Sequence, residues 1–150
     1  MLSFIRSLEF TAARLVPGWL AGLALRFGLA VPFYFSGLTK WVAPFKLNDS
    51  AITLFEQEFK LHILGKVYDY PFPTLMAYGS GTAEIVLPVL LAAGLFSRLA
   101  AAGLLIMTGI IQLTIPDGWP IHITWAAMAL GVIALGPGKV SVDGAARGLA

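Results

Sequence analysis

Charged residues are spaced along the chain so that four long apolar stretches lie between them. A helix needs about 20 mostly apolar residues to cross a bilayer core of about 30 Å, and each stretch reaches or approaches that length. The first runs from about Pro17 to Thr39 and is interrupted only by Arg26, and the second runs from about Phe72 to Phe96, interrupted only by Glu84. The third, about Leu99 to Ile115, and the fourth, about Trp119 to Gly136, contain no Asp, Glu, Lys or Arg. The pattern predicts an all-α fold, a single-domain integral membrane four-helix bundle. Its first span is the least regular, since Pro32 is expected to kink it and Arg26 makes its insertion costly.

The segments between spans carry their own periodicities. Before the first span, Leu2, Ile5, Leu8, Ala12 and Leu15 recur at helical spacing with Arg6, Glu9 and Arg14 elsewhere, which predicts an interfacial helix leading into the bundle. Arg6 and Arg14 ahead of an apolar run also raise the question of a cleavable signal peptide. Arg26 and the length of the run fit that reading poorly. Between the first two spans, Trp41 to Pro71 is the sizeable polar segment, with three lysines and four acids. Ile52, Phe55, Phe59 and Ile63 fall on one helical face there, with Glu56 and Lys60 beside it and Ser50 placed to cap. This predicts an amphipathic interfacial helix in the first loop, over about residues 50–67, lying on the membrane surface rather than closing over a ligand. Asp117-Gly118 predicts a tight turn between the third and fourth spans, and Gly136-Pro137-Gly138 a stop after the fourth.

Composition agrees with lipid as the solvent. Of 150 residues, 58% are hydrophobic and 12% charged, with a mean hydropathy of +0.83, too few charges for a surface facing water. The isoelectric point near 9.1 reflects a formal charge of only +2 with no basic run, which argues against a nucleic-acid partner. The chain has no cysteine, so disulfides, thiol catalysis, iron–sulfur clusters and thiolate metal sites are excluded. Arg6, Arg14, Arg98, Lys139 and Arg147 fall on one side of the four-span arrangement, and Lys40, Lys46, Lys60 and Lys66 on the other. Five Lys/Arg against four places both termini in the cytoplasm.

Arg26 and Glu84 are the most informative residues, because an ionisable group within a bilayer demands a partner or water. Each sits near the middle of its span, so neighbouring antiparallel helices are expected to bring them to one depth as an ion pair. Ala77, Ser80, Gly81 and Pro88 share the helical face of Glu84 and allow close helix approach. Such a pair either fixes which helix packs on which, binds a polar head group, or lets Glu84 exchange protons. His122, between Trp119 and Trp125 at the start of the fourth span, either belongs to an interfacial aromatic belt, or donates a hydrogen bond to a quinone carbonyl or takes up a proton. Thr108 and Gln112, one turn apart in the third span, are expected to point inward and bond across helices. His62 stands alone on the loop and is expected to be solvated, and two separated histidines give no metal or haem site. Gly18 and Gly22 match a GxxxG pattern that is frequent by chance. Phosphate-loop, nucleophile-elbow, zincin and dinucleotide motifs are absent from the sequence.

Several of these residues lie in short blocks whose order resembles the DoxX family of small bacterial membrane proteins. The blocks are Arg26 leading into Phe35-Ser36-Gly37-Leu38-Thr39-Lys40; Gly81, Glu84 and Pro88 followed by Gly94-Leu95-Phe96-Ser97-Arg98-Leu99-Ala100-Ala101; and Gly136-Pro137-Gly138-Lys139-Val140-Ser141-Val142-Asp143. The resemblance implies a four-helix bundle in the bacterial inner membrane. It also implies a link to redox or metal-stress systems, since the family takes its name from a subunit of a thiosulfate:quinone oxidoreductase. This chain departs from relatives that use thiols.

Three functions follow. The leading one is a partner-dependent subunit of a quinone-linked redox or stress-response assembly, non-catalytic by itself, with Arg26, Glu84, His122, Gln112 and Thr108 as the candidate intramembrane polar site. No cofactor is expected to be covalently bound; a quinone is the expected mobile ligand, and membrane or periplasmic redox proteins are the expected partners, with self-association left open. The second is a small proton-coupled transporter subunit working through Glu84, and the third a structural membrane scaffold.

Overall fold

The computed structural model describes residues 5–6, 11, 15–146 and 148. Among these, four helices are long and apolar enough to cross a membrane: α1 (Gly18–Thr39), α3 (Pro73–Ala93), α4 (Ser97–Thr114) and α5 (Trp119–Leu135), the last together with the single 3-10 turn Pro116–Gly118 that leads into it. The helix expected ahead of the first span, and Arg147, fall largely or wholly outside the described residues. In the bundle α1 packs on α3 and α5, and α4 on α3 and α5, so each helix has two neighbours. The shared core consists of Leu29, Phe33, Leu91, Leu104 and Val132, with Ala30, Ala100, Ala101 and Ala129 between them. The chain is an all-α four-helix membrane protein. Helix α1 continues unbroken through Pro32.

The helix ends follow from local chemistry. Pro73 occupies the first turn of α3, where its missing N–H has no helical partner to lose. At the other end Gly94 adopts φ 73°, and Leu95 and Gly94 donate back to the carbonyls of Leu90 and Leu91 at 2.9 and 3.1 Å. This paired closure is the one that a left-handed residue after a helix permits. The N-terminus of α4 has no capping side chain of its own, because Phe96 precedes it in a left-handed conformation, φ 49°. Asp143 supplies the cap from the C-terminal segment. Its carboxylate accepts from the N–H groups of Phe96 and Ser97 at 3.0 and 2.8 Å and from the Ser97 hydroxyl at 2.9 Å. A short helix, α6 (Val142–Ala146), begins at this anchor.

The first loop differs from expectation. The amphipathic helix predicted over residues 50–67 is replaced by a compact cap of two hairpins and one helical turn. Strands β1 (Trp41–Ala43) and β2 (Lys46–Leu47) pair antiparallel. Helix α2 (Asp49–Thr53), capped by the Asn48 side chain rather than by Ser50, then widens into a π-turn over Leu54–Glu58. Strands β3 (Lys60–Ile63) and β4 (Lys66–Asp69) form the second hairpin. The helical period is real only as far as Phe59, whose extended backbone ends it. Beyond it, Leu64 and Gly65 both take positive φ, 51° and 77°, which a two-residue hairpin turn requires and a helix forbids. Ile63, assigned to the apolar face of the predicted helix, is 39% exposed. Leu47, Phe55, Tyr70 and Ala77 make a second buried cluster, joining the cap to the first turns of α3.

Asp143→Ala removes both the cap of α4 and the tie between the C-terminal segment and the α3–α4 turn. Loss of an N-cap costs about 1–2 kcal/mol. Thermal unfolding in detergent should show a lowered midpoint for Asp143→Ala and a smaller drop for Asp143→Asn; an unchanged midpoint would contradict the capping role.

Candidate functional site

The two charges predicted to pair are held apart by helix register. Gly37 of α1 lies against the backbone of Glu84, where a Cβ would come within 2.9 Å of the Glu84 carbonyl. Arg26 is eleven residues further back, about 16 Å at 1.5 Å per residue, and faces the last turn of α3. Arg26 and Glu84 are thus separated along the helix axes by about three turns. The opening turns of α3 project past α1 and pack under the cap, where the Trp41 indole donates to the Gly81 carbonyl at 3.1 Å. Similar positions within two spans therefore do not mean similar depth, and the Arg26–Glu84 ion pair does not form.

Arg26 is 2% exposed and is satisfied by backbone oxygens alone. Its Nε donates to Leu91 at 3.0 Å, Nη2 to Ala92 at 2.5 Å, and Nη1 to Pro137 and Val140 at 2.9 and 2.6 Å. The first two carbonyls belong to the last turn of α3, which carries partial negative charge. The other two belong to the turn after α5. The guanidinium fork thus ties α1 to α3 and to the C-terminal segment, a task that suits its fixed set of donors.

Glu84 is 4% exposed and faces Lys40 instead, with Nζ and Oε2 2.5 Å apart. Lys40 also donates to Ser36 Oγ at 3.1 Å, and Ser80 Oγ donates to Glu84 Oε1 at 2.9 Å. Lys40 follows the last turn of α1, and its long stem lets the ammonium reach inward. Counting it only as an orientation charge misses this; the signal was its i+4 spacing from Ser36 at the end of an apolar helix.

The pair lines a cavity of about 540 Å³ between α3, α4 and α5, beneath the cap. Phe55, Phe59 and Tyr70 come down from the cap, and Met107, Ile111 and Trp125 from α4 and α5. Phe55 stacks edge-on against both Phe59 and Tyr70 with ring centres 5.2 Å apart. The Tyr70 hydroxyl lies 2.5 Å from Thr114 Oγ1, which itself donates to the Ile110 carbonyl at 2.8 Å, so Tyr70 is the donor that fastens the cap to α4. The sequence reading preferred a surface helix to a lid, but these residues cover the cavity directly.

His122 also lines the cavity, with its ring 5.2 Å from that of Trp125. Its Nδ1 is 2.7 Å from Gln112 Oε1, a bond across helices as expected for Gln112. Gln112 donates its amide to the Pro116 carbonyl at 3.0 Å, which fixes its oxygen toward the histidine. A neutral His122 then donates through Nδ1 and keeps only an acceptor at Nε2, so donation to a ligand carbonyl falls to Lys40 or the Ser36 hydroxyl. Thr108 does not join the site. It is buried and donates to Leu104 within its own helix at 2.8 Å, the local bond that competes with cross-helix pairing. His62 is exposed, with Nδ1 3.2 Å from the Leu113 carbonyl.

Residues 21–117 match the DoxX family model. The chain belongs to the DoxX family. The matched stretch carries Arg26, Lys40, Glu84 and Gln112, whereas His122 and Asp143 lie beyond it. No curated protein and no solved structure matches the chain.

Removing one member of a buried ion pair is worse than removing both, because the survivor keeps its desolvation without its partner. Lys40→Met should lower the unfolding midpoint in detergent, and adding Glu84→Gln should restore most of the loss. Simple addition of two separate losses would show that the charges do not depend on each other.

Proposed function

We propose that this DoxX protein is a partner-dependent subunit of a redox assembly in the bacterial inner membrane, holding a quinone-class ring in the capped cavity. The observation that carries the reading is the cavity itself. It has the size of a small-molecule site, about 540 Å³, and apolar and aromatic walls interrupted by a few polar groups. Lys40 and Glu84 neutralise each other, so the polar end favours a neutral head group with carbonyl or hydroxyl oxygens over an ion. Lys40 Nζ has three hydrogens and makes two bonds, to Glu84 and Ser36, leaving one for a ligand oxygen. His122, held by Gln112, offers an acceptor or, when protonated, a donor.

A bound quinone would supply the electron-accepting chemistry, with electrons delivered by a partner protein. The residues of this chain bind and orient the ring and exclude water. With both termini in the cytoplasm, as the Lys/Arg distribution favours, the cap and cavity sit at the periplasmic face, where a periplasmic redox partner could dock. Arg26, held by four backbone carbonyls at the opposite end, serves the scaffold and not the ligand.

Tryptophan fluorescence of the protein in nanodiscs, titrated with a decyl-tailed benzoquinone, should show saturable quenching. Lys40→Met and Glu84→Gln should each weaken it at least tenfold. Absence of saturable binding by the unmodified protein would sink the quinone reading.

A further inference from the structure

The cavity is closed toward the water by the cap, yet it is not closed on every side. Its lining includes Leu75 and Gly79 of α3 and Ile110 of α4, residues that also face outward. Leu75 is 63% and Ile110 44% exposed. At Gly79 an added Cβ would meet nothing within 4 Å. Toward the other end of the same helix pair the packing is tight: a Cβ on Gly103 would lie 2.8 Å from Leu87. Helices α3 and α4 therefore lie close near their short connection and separate toward the cap. Gly79 is six residues inside the start of α3, about 9 Å, and Ile110 is four residues from the end of α4, about 6 Å, so the gap opens within the two apolar spans.

We propose that this gap is a lateral portal, and that the ligand of the cavity is a membrane-dissolved amphiphile whose hydrocarbon tail stays in the gap beside Gly79 while its head reaches Lys40 and Glu84. The proposal rests on the reading of the cavity as a ligand site and adds the route and the tail. Three features point the same way. The outward-facing portal residues are apolar, as lipid contact requires. The water side is blocked by Phe55 and Tyr70, 8% and 9% exposed, with Tyr70 fastened to Thr114. The lone glycine on the rim leaves width where a side chain would narrow the opening.

Gly79→Leu places a branched side chain in the portal at a position with free space. Replacing a helix-interior glycine favours the helix, so the fold should be retained. Gly79→Ala, with only a methyl group, is the control. Binding of a decyl-tailed benzoquinone and of the same ring without its tail is measured in nanodiscs. A second readout is quenching of Trp125 by lipids brominated on their acyl chains, in a background with Trp19, Trp41 and Trp119 changed to Phe. Gly79→Leu should weaken the tailed quinone at least tenfold, leave the tail-less ring within threefold, and reduce quenching of Trp125; Gly79→Ala should resemble the unmodified protein. Unchanged binding of both ligands with unchanged quenching overturns the portal while leaving the quinone site standing, and equal loss of both overturns it by placing Gly79 in the head site. If the unmodified protein binds neither ring, the quinone reading fails, and the brominated-lipid comparison alone decides the portal.

Discussion

Burying a guanidinium is expensive unless each of its nitrogens finds an oxygen, and the bundle is arranged at one end to satisfy that demand. Arg26 collects carbonyls from the end of α3, where the Leu91 oxygen also accepts from Gly94, and from the turn after α5. The C-terminal segment can deliver its carbonyls only if it is itself fixed in place. Asp143 fixes it by capping α4, while its own N–H donates to the Gly94 carbonyl at 2.9 Å. One arginine and one aspartate thereby join three helices and the C-terminal turn at a single end. Among the described residues no buried side-chain polar atom is left without a partner.

With one end tied in this way, the other can open. Helices that are clamped at both ends must fill the space between them with side chains, whereas a clamp at one end tolerates divergence if another element covers the gap. The cap is that element. Its inner residues Leu47, Phe55 and Tyr70 bury themselves on α3, and its outer hairpin is braced by a cross-strand ion pair between Lys60 and Asp69, 2.5 Å apart. That pair is exposed on the Asp69 side and contributes little by itself. The apolar contacts beneath, and the Tyr70–Thr114 bond, hold the cap over the cavity.

The spans were legible because crossing lipid imposes a length and an absence of charge that no local detail can hide. The presence of a buried acid and a buried base was legible for the same reason. Their partners were not, since pairing depends on how far one helix slides along another, and that register is set by Gly37 at one crossing and by the cap over the opening turns of α3. Lys40 was invisible as a partner because a lysine at a helix end also serves as an interfacial charge, and sequence cannot distinguish the two directions of its stem. The loop was misread where two periods overlap: Ile52, Phe55 and Phe59 obey the helical repeat, while Leu64-Gly65 signals a hairpin in a segment too short for either pattern to prevail by counting. Thr108 shows the opposite error, a polar residue in an apolar helix that satisfies itself locally and needs no partner.

The separation of roles follows from what each cation can do. An arginine presents its donors in a rigid plane and suits a fixed ring of carbonyls that never changes. A lysine is a point charge on a flexible stem, and its ammonium can swing between acceptors at small cost. Lys40 already divides its bonds between Ser36 and Glu84, and it sits on the wall of a cavity rather than within packed backbone. Glu84 likewise holds two interchangeable donors, Lys40 and Ser80. A neutral pair with a free hydrogen and spare lone pairs can accept a third oxygen-bearing group without leaving a charge exposed to hydrocarbon, whereas the Arg26 cluster could do so only by breaking the fold's clamp. The bundle has therefore placed its adaptable ion pair where space exists and its inflexible cation where space does not.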